Sequence, residues 1–299
     1  MEGSGKPLLG RVALVTGSSR GIGQAVARRL AAAGATLVVT GRSATAPATQ
    51  KRFGTEETVP GTLAETVALI EADGGRAIAI AADLEDPEQR RSLVQRTVDA
   101  AGRIDILVNN AGYADYSRIE DMSDETFERT LTHYLRVPFE LARAAIPFMK
   151  AEGAGWIVNI GSVTSLAPTR PYPDYARAGG DTLYASVKAA LNRWTQGLAA
   201  EMVDHGIAVN MVGPSTAIRT PGADALIPPD YPTEDVAYLA ETVLAMCEEP
   251  AAERTGHLAF SMHWPHAHGR QPWSLDGKNA LPPAEPPSWS HPDIVSRGY

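Results

Sequence analysis

The sequence predicts an α/β fold, in which a doubly wound parallel sheet forms a single domain. Short apolar runs rich in β-branched residues alternate with helical patterns through most of the 299-residue chain. A glycine-rich turn separates the first apolar run from the first helical pattern. Because parallel strands require long crossovers, this alternation indicates a sheet covered by helices on both faces.

The predicted elements follow one another in a regular order. The first apolar run, 12–15, leads through the glycines into a helical pattern over 22–33 that ends at Gly34. Further strands are predicted at 36–40, 77–82, 106–108, 156–160, 207–212 and 257–261. Further helices are predicted at 63–73, 86–101, 125–151 and in the segment that contains Tyr184. Between Arg42 and Leu63 the chain is rich in Ala, Thr, Pro and charge, which predicts an irregular surface insertion.

The last part of the chain has a different character. Seven prolines follow Ser261, and no amphipathic period remains. We therefore divide the chain into a domain at 1–261 and a proline-rich C-terminal extension at 262–299. Packing along a surface, of this subunit or of a neighbour, is favoured by the apolar anchors Trp264, Trp273, Leu281 and Trp289. A mostly disordered extension is the alternative.

Composition narrows the partners and the compartment. The formal net charge is -8 and the pI is near 5.4, whereas nucleic-acid binding needs concentrated Lys and Arg. A single cysteine, Cys247, excludes an internal disulfide and a cysteine-rich metal site. No apolar run reaches the roughly 18 residues of a membrane span. We therefore expect a cytoplasmic protein that binds neither nucleic acid nor membrane.

The glycine-rich turn has the chemistry of a nucleotide site. Its glycines follow a strand and open a helix with the spacing Gly-x-x-x-Gly-x-Gly. Such a turn presents free backbone N–H groups and the positive end of a helix to a pyrophosphate, and glycine permits a close approach. Glycines alone are a weak signal, because turns use them freely. The residues expected to bind the cofactor here are Gly17, Ser19, Arg20, Gly21, Ile22 and Gly23.

A second group of residues suits proton transfer. Tyr184 and Lys188 lie four residues apart and share one face of a helix. A ketone that accepts hydride needs a proton, and a nearby ammonium stabilises a phenolate and lowers the pKa of the phenol. Ser162 follows a strand and can hydrogen-bond the substrate oxygen. Ser165 is the alternative serine, and a plain helix surface is the alternative for the other two residues.

These motifs resemble the short-chain dehydrogenase/reductase family in order and distance over residues 9–261. The resemblance implies a Rossmann-like, NAD(P)-binding domain at 1–261, with Tyr184 as acid or base and with Lys188 and Ser162 beside it. It implies homo-dimers or homo-tetramers and a small-molecule carbonyl or alcohol substrate. It implies further cofactor contacts at Asp83, Leu84, Asn110, Ala111, Gly112, Tyr184, Lys188, Pro214, Ile218 and Thr220. Taken singly, Asp83 would suit a helix cap and Asn110 a turn.

The end of the second strand favours one nicotinamide cofactor over the other. NAD sites place an acidic residue there, which binds the ribose 2′-hydroxyl and repels a 2′-phosphate. This chain has Arg42 at that position and Arg20 in the glycine-rich turn. Two guanidinium groups suit a 2′-phosphate, so NADP(H) is expected in preference to NAD(H). The alternative is that both are ordinary solvated arginines.

Two departures from the family pattern concern the active site. The interval from Ser162 to Tyr184 is longer than usual, and the extra residues lie within 168–182. They border the expected substrate pocket and predict a lid or specificity loop, with a surface decoration or a subunit contact as the alternative. Tyr134 stands where the family has an asparagine that holds a water of the proton relay. His133 or the Tyr134 phenol could replace it, or Tyr134 could be purely structural.

The sequence thus predicts an NADP(H)-dependent oxidoreductase that transfers hydride between nicotinamide and a carbonyl or secondary alcohol. The alternatives are a catalytically weak nucleotide-binding regulator or scaffold of the same fold, and an NADP-dependent epimerase or dehydratase. We expect no metal, because prolines interrupt any helical ligand face formed by His263, His266 and His268. No motif names the substrate or the direction of the reaction.

Overall fold

The computed structural model describes residues 6–52, 55–112, 115–221, 223–224, 227 and 229–299. Residues 1–5 of the domain predicted at 1–261 lie outside the described residues. The strands of the described chain are β1 (Val12–Thr16), β2 (Thr36–Gly41), β3 (Ala48–Arg52), β4 (Thr55–Val59), β5 (Arg76–Ala81), β6 (Ile106–Asn109), β7 (Gly155–Ile160), β8 (Ile207–Gly213) and β9 (Leu258–Phe260).

Within the described chain, seven of these strands form one parallel sheet in the order β5-β2-β1-β6-β7-β8-β9. The predicted boundaries of these seven strands differ from the observed ones by at most one residue. The helices are α1 (Gly21–Ala32), α2 (Leu63–Ala72), α3 (Pro87–Ala101), α4 (Asp124–Leu131), α5 (Val137–Glu152), α6 (Asp174–Ala178), α7 (Thr182–Met202), α8 (Val236–Ala245) and α9 (His263–Ala267).

The sheet is apolar on both faces, and each face has its own layer of helices. In β1, Ala13 and Val15 pack in the layer that contains α1 and α8, whereas Val12 and Leu14 pack in the layer that contains α3 and α5. Side chains that alternate along a strand point to opposite faces, so a fully apolar β1 has to be covered twice. The prediction of a doubly wound, Rossmann-like α/β domain is confirmed.

The strand order positions the functional site. The chain builds the sheet outward from β1 in one direction and, beginning with β6, in the other. The loops after β1 and β6 therefore leave the sheet toward opposite faces and open a crevice between them. All seven strands are parallel, so the loops that follow them lie at one edge of the sheet.

The prediction that the inserted segment between Arg42 and Leu63 is irregular was wrong. The strands β3 and β4 form an antiparallel hairpin there, in which Thr49 lies opposite Thr58 and Val59 is buried. Among the described residues, the hairpin forms a sheet of its own and does not pair with the main sheet. Its strands are short and largely polar, so hydrophobic periodicity gave no signal for them.

The long helix predicted at 125–151 is also divided. Between α4 and α5 the segment Thr132–Arg136 has π-helical geometry. Pro138 lies in the first turn of α5 and lacks a backbone N–H group, which breaks the regular hydrogen-bond ladder at this point. The division matters for function, because the segment carries His133 and Tyr134.

The C-terminal extension packs on its own subunit. Trp264 and Ala284 are each 2 % exposed, and the Tyr238 hydroxyl of α8 donates to the carbonyl oxygen of Pro282. Arg270 forms ion pairs with two glutamates of the domain, Glu241 and Glu248. Of the alternatives left open by the sequence, packing along the surface of the same subunit describes residues 262–299.

Candidate active site

A cleft of about 420 Å³ opens at the carboxyl edge of the sheet, where the strand order reverses between β1 and β6. Open parallel sheets bind ligands in such a crevice. The cleft thus brings the glycine-rich turn and the predicted proton donor to one space. Its lining includes every residue predicted for catalysis or cofactor binding: Gly17, Ser19, Arg20, Gly21, Ile22, Gly23, Arg42, Asp83, Leu84, Asn110, Ala111, Gly112, Ser162, Tyr184, Lys188, Pro214, Ile218 and Thr220.

The turn between β1 and α1 is shaped to receive a phosphate group. Gly17 and Gly21 adopt positive φ angles of 65° and 56°, which residues with side chains rarely adopt. A Cβ atom on Gly23 would collide with the carbonyl oxygen of Gly17. The Arg20 side chain does not cap α1, so it leaves the first N–H groups of this helix to a ligand. The turn therefore fits the pyrophosphate of a dinucleotide.

The end of β6 holds this turn in place. The Thr16 hydroxyl accepts the backbone N–H groups of Asn110 at 2.9 Å and of Ala111 at 3.0 Å, and donates to the carbonyl oxygen of Val108 at 3.2 Å. The Asn110 amide donates to the carbonyl oxygens of Thr16 at 2.8 Å and Gly17 at 3.2 Å. Asn110, predicted as a cofactor contact, lines the cleft while its amide nitrogen supports the glycine-rich turn.

The two arginines predicted to bind a 2′-phosphate differ in their surroundings. Arg42 directly follows β2 and has an exposed side chain. The Nη1 atom of Arg20 donates to the carbonyl oxygens of Val59 at 2.8 Å and Pro60 at 3.1 Å. Burial lowers the pKa of Arg20, and the charge of Arg42 lowers it further. Arg20 is thus partly bound to the hairpin, whereas Arg42 presents its guanidinium group to solvent.

Asp83 and Leu84 follow β5 and line the cleft. The Asp83 carboxylate accepts the N–H group of Glu85 at 2.9 Å, and its own N–H group donates to Gln89 at 3.0 Å. The residue that caps α3 is Asp86, so Asp83 is not the helix cap considered as an alternative. Leu84 is 5 % exposed and joins the core beneath the cleft.

The serine predicted to polarise the substrate has a hydroxyl neighbour that the sequence analysis missed. Ser162 Oγ lies 2.9 Å from Thr164 Oγ1 and accepts the Thr164 N–H group at 3.2 Å. Thr164 also lines the cleft. Its position two residues after Ser162 is the sequence feature that could have identified it as a site residue. The alternative serine, Ser165, donates to the carbonyl oxygen of Ser162 at 2.6 Å and accepts from Asn192 at 2.9 Å. Ser165 therefore supports the loop.

Lys188 is buried at the floor of the cleft, with 4 % of its surface exposed. Its Nζ atom donates to the carbonyl oxygen of Ile160 at 2.6 Å. The same atom lies 4.2 Å from the ring centroid of Tyr134 and 5.6 Å from that of Tyr184. Burial disfavours the charged amine and lowers the pKa of Lys188 to about 7.

The expectation that the pKa of Tyr184 is depressed was wrong for the structure as it stands. Burial raises the pKa of Tyr184 to about 12, while the hydrogen bond with Ser162 acts in the opposite direction. The negative charge of Asp181 also raises this pKa, so desolvation and this charge together outweigh the hydrogen bond. At neutral pH the Tyr184 side chain is a phenol that can donate a proton.

Tyr134 is part of an aromatic cluster around the proton donor. Its ring meets that of Tyr184 edge to face, with centroids 5.2 Å apart, and Tyr116 approaches Tyr184 from another side at 5.4 Å. A Cβ atom on Gly112 would lie 2.6 Å from Tyr134 Cε1, so this glycine makes room for the ring. Tyr116, which follows the Asn-Asn-Ala-Gly segment, also lines the cleft and was not predicted from the sequence.

His133 lines the cleft but is engaged with an acidic residue. Its Nε2 atom lies 2.9 Å from Glu85 Oε1, and this hydrogen bond is the main cause that lowers the pKa of Glu85 to about 2. Replacement of the family asparagine by His133 or by the phenol of Tyr134 stays a prediction.

The inserted segment 168–182 lies next to the wall of the cleft that carries Tyr116. It contains α6, and the carbonyl oxygen of Gly180 accepts the N–H group of Ser117 at 2.9 Å. Thr220 approaches the glycine-rich turn, since a Cβ atom on Gly21 would lie 3.3 Å from Thr220 Cβ. A lid function of the insertion stays a prediction.

The tail histidines contact protein groups. His266 Nδ1 lies 2.9 Å from the carbonyl oxygen of Ala284, and the ring of His268 stacks on Trp264. In the part of the chain that the structure describes, no group of three or more His, Cys, Asp or Glu side chains is arranged to hold a metal ion. Among the same residues, no helix combines the length and the apolar character that a membrane crossing requires.

The fold and the cleft together define a doubly wound α/β protein with a nucleotide-binding site. A family model described as short chain dehydrogenase matches residues 11–228, which is more than half of the chain. The chain therefore belongs to the short-chain dehydrogenase/reductase family of oxidoreductases.

Individual relatives agree with this assignment. An uncharacterized oxidoreductase of Thermotoga maritima is 38% identical over 210 residues, covering 69% of this chain and 72% of its own length. Oxidoreductase UcpA of Escherichia coli K12 is 33% identical over 239 residues, covering 80% and 81%. A solved short chain dehydrogenase from Burkholderia cenocepacia in complex with NADP is 35% identical, with a TM-score of 0.67, covering 84% of this chain and 95% of that one.

Proposed function

We propose that this protein is an NADP(H)-dependent oxidoreductase that transfers hydride between nicotinamide and a carbonyl or secondary alcohol substrate. The observation that carries the proposal is the convergence of Ser162, Tyr184 and Lys188 on the cleft that the glycine-rich turn also borders. If these three residues belonged to an ordinary helix surface and an unrelated loop, they would not be expected to line the same cleft. The nicotinamide ring, when bound, supplies or accepts the hydride.

The side chains divide the proton chemistry among them. Ser162 Oγ donates a hydrogen bond to the substrate oxygen and stabilises its developing negative charge. Tyr184 gives its phenolic proton to that oxygen during reduction and removes the proton from the alcohol during oxidation. Lys188 contributes a positive charge that stabilises the phenolate form of Tyr184, provided that its own amine is protonated. The ring of Tyr134 and the carbonyl oxygen of Ile160 hold this amine.

The preference for NADP(H) over NAD(H) rests on Arg42. Its guanidinium group is exposed at the end of β2, where an acidic residue would otherwise select NAD. Arg20 adds positive charge beside it, although its Nη1 atom is bound to the hairpin. The NADP complex of the Burkholderia cenocepacia dehydrogenase supports the same cofactor for a related cleft.

Assembly, location and domain boundaries are further parts of the proposal. Homo-dimers or homo-tetramers would cover Phe127 and Phe139, which are 42% and 46% exposed on α4 and α5. We place the protein in the cytoplasm and divide it into a cofactor-binding domain at 1–261, with a lid at 168–182, and an extension at 262–299.

Replacing Tyr184 by Phe tests the proposal. Tyr184→Phe removes the proton donor without disturbing the aromatic cluster, so we expect turnover of carbonyl compounds with NADPH to fall by about 10²-fold or more. The dissociation constant for NADPH, measured by fluorescence titration, should change by less than about twofold. Tyr299→Phe, which alters an exposed tyrosine outside the cleft and the proposed lid, is the matched control.

The outcomes separate the candidate functions. Undiminished turnover in Tyr184→Phe would remove Tyr184 from the mechanism. Wild-type protein that binds NADPH but converts no carbonyl or alcohol would be a regulator or scaffold of the same fold. Conversion of a substrate without net consumption of NADPH would indicate an epimerase or dehydratase.

A further inference from the structure

We propose that the C-terminal residues 289–291, called here the C-terminal strap, set the width of the substrate mouth by tying together the two loops that border it. One loop follows β7 and carries Ser162, and the other follows β8 and carries Pro214 and Ile218. The strap would thereby determine which substrates reach Tyr184. The effect of the strap on substrate choice rests on the function proposed above. The contacts by which the strap holds the two loops together do not depend on that function.

One end of the strap is bound to the loop after β7. His291 Nε2 lies 3.0 Å from the carbonyl oxygen of Ala167. Ala167 is five positions after Ser162, and Val163 and Thr164 between them line the cleft. A contact at Ala167 therefore restrains the segment that presents the serine hydroxyl to the substrate.

The other end of the strap packs on the loop after β8. The rings of Trp289 and Tyr231 meet edge to face, with centroids 5.8 Å apart. Tyr231 belongs to the connection between β8 and α8, which also supplies Ala217, Ile218 and Thr220 to the lining of the cleft. Trp289 and Tyr231 are 47% and 43% exposed, so their contact lies at the protein surface and not in the core.

The centre of the strap is linked to the start of the same loop by a buried histidine. Ser290 Oγ lies 3.2 Å from His263 Nε2, and His263 Nδ1 lies 2.9 Å from Ser215 Oγ. Burial lowers the pKa of His263, so its ring is neutral at pH 7 and can donate through one nitrogen and accept through the other. Ser215 directly follows Pro214, which lines the cleft.

The inner end of this chain of hydrogen bonds is held by further buried hydrogen bonds. The Ser215 N–H group donates to Ser261 Oγ at 2.9 Å and to Glu234 Oε1 at 3.2 Å, and Ser261 Oγ donates to the same carboxyl oxygen at 2.6 Å. Glu234 closes the loop just before α8 begins. The strap thus connects the segment after β7, at Ala167, with the base of the loop after β8, at Ser215.

The two tied loops border the part of the cleft that carries Ser162 and Tyr184, whereas Arg42 and Asp83 line its other part. With the two loops tied, we expect ketones or secondary alcohols with small substituents to be the preferred substrates. Loosening the strap should admit bulkier ones.

The test compares full-length variants. Trp289→Ala combined with His291→Ala removes both ends of the strap. The matched control combines Trp273→Ala with His205→Ala, because Trp273 belongs to the same extension but lines a separate pocket with Arg29, and His205 is exposed after α7. A milder pair, Ser290→Ala against Ser288→Ala, keeps the test valid should the double variant fail to fold.

Two measurements decide the inference. Amide hydrogen exchange without ligand should become at least about tenfold faster in segments 163–167 and 229–235 of the strap variant and stay unchanged in the control. The ratio of kcat/KM for a bulky ketone to that for a small ketone, with NADPH, should rise at least about tenfold, while the dissociation constant for NADPH changes less than about threefold.

Each outcome of these measurements leads to a different conclusion. Unchanged exchange in both strap variants would show that residues 289–291 do not tie the loops and would overturn the inference. Faster exchange with an unchanged ratio would overturn the role in substrate choice. Wild-type protein that reduces no carbonyl compound would refute the proposed function, and the exchange measurement would still decide whether the strap holds the loops together.

Discussion

At the scale of single residues, burial governs the chemistry of the cleft. Tyr184 and Lys188 are both ionisable, and removal from water disfavours the charged form of each, which moves their pKa values to about 12 and about 7. The Lys188 ammonium keeps two stabilising contacts, the carbonyl oxygen of Ile160 and the face of the Tyr134 ring. Tyr134 therefore acts on the proton donor through the lysine.

Replacing Tyr134 tests this role. Tyr134→Leu removes a cation–π contact worth about 2 kcal/mol at a desolvated site, which corresponds to more than one pKa unit. Because the lost contact favours the ammonium, the pKa of Lys188 should fall. The alkaline limb of the kcat/KM profile should move toward lower pH by about one unit. Tyr134→Phe, which keeps the ring, should retain the wild-type limb; the same movement in both variants would exclude the ring as its cause.

Arg42 carries the prediction on cofactor choice at the same scale. Arg42→Asp replaces a cation by an anion at the end of β2. The new carboxylate should repel a 2′-phosphate, whereas it can accept a hydrogen bond from a ribose 2′-hydroxyl. We expect the dissociation constant for NADPH to rise at least about tenfold and that for NADH to change less than about threefold, by fluorescence titration in one buffer. Arg76→Asp is the control, because Arg76 is exposed at the start of β5, the end of this strand that lies away from the cleft. An equal loss of both cofactors would contradict the assignment.

At the scale of elements, the cleft depends on how β1 and β6 are joined at their ends. The Thr16 hydroxyl accepts two backbone N–H groups, and the Asn110 amide returns two hydrogen bonds to the glycine-rich turn. Thr16 is fully buried, so water cannot replace these bonds. The turn is therefore held in its ligand-binding shape by the neighbouring strand.

Removing that hydroxyl should weaken both the fold and the turn. Thr16→Val keeps the shape of the side chain but leaves the N–H groups of Asn110 and Ala111 without an acceptor, so the free energy of unfolding should fall by about 2 kcal/mol. Urea denaturation measures it, and Thr49→Val on the exposed face of β3 is the control. NADPH should also bind more weakly. Equal stability of Thr16→Val and the wild type would contradict this account of the turn.

Element prediction succeeded and failed for identifiable reasons. The strands of the main sheet are apolar on both faces, so short apolar runs located them to within one residue. The β3–β4 hairpin is polar and short, and nothing in its periodicity revealed it. The division of the helix at Thr132–Arg136 had one local signal, Pro138, and in the folded chain the divided segment also contacts α7.

At the scale of the whole molecule, buried ionisable groups link distant parts of the chain. Arg29 of α1 and Arg270 of the extension both pair with Glu241, which is fully buried in α8. Glu234 is 7% exposed behind the loop after β8, and burial raises its pKa to about 7. Through these groups, the packing of the extension and of the loop after β8 contributes to the stability of the entire fold.

Glu234 predicts a pH dependence of that stability. Between about pH 4.5 and pH 7 the folded carboxyl keeps its proton and the unfolded one loses it, so the free energy of unfolding falls as the pH rises. Glu234→Gln cannot titrate, so its free energy of unfolding relative to that of the wild type should increase steadily from pH 4.5 to pH 7 and then level off. Urea denaturation at several pH values measures this difference. Glu128→Gln, on the exposed side of α4, should follow the wild type, and a constant difference for Glu234→Gln would contradict the assignment.

The sequence by itself determined the α/β class, the strand positions of the main sheet and the glycine-rich turn, because apolar periodicity and glycine spacing are local properties. Only the tertiary structure decided how those residues act on one another. The proximity of Lys188 to Tyr134, the support of the glycine-rich turn by Asn110 and the contact of His291 with Ala167 join residues far apart in the chain. Such contacts, and the desolvation that sets the pKa values of Tyr184 and Lys188, exist only once the sheet and its helices have packed.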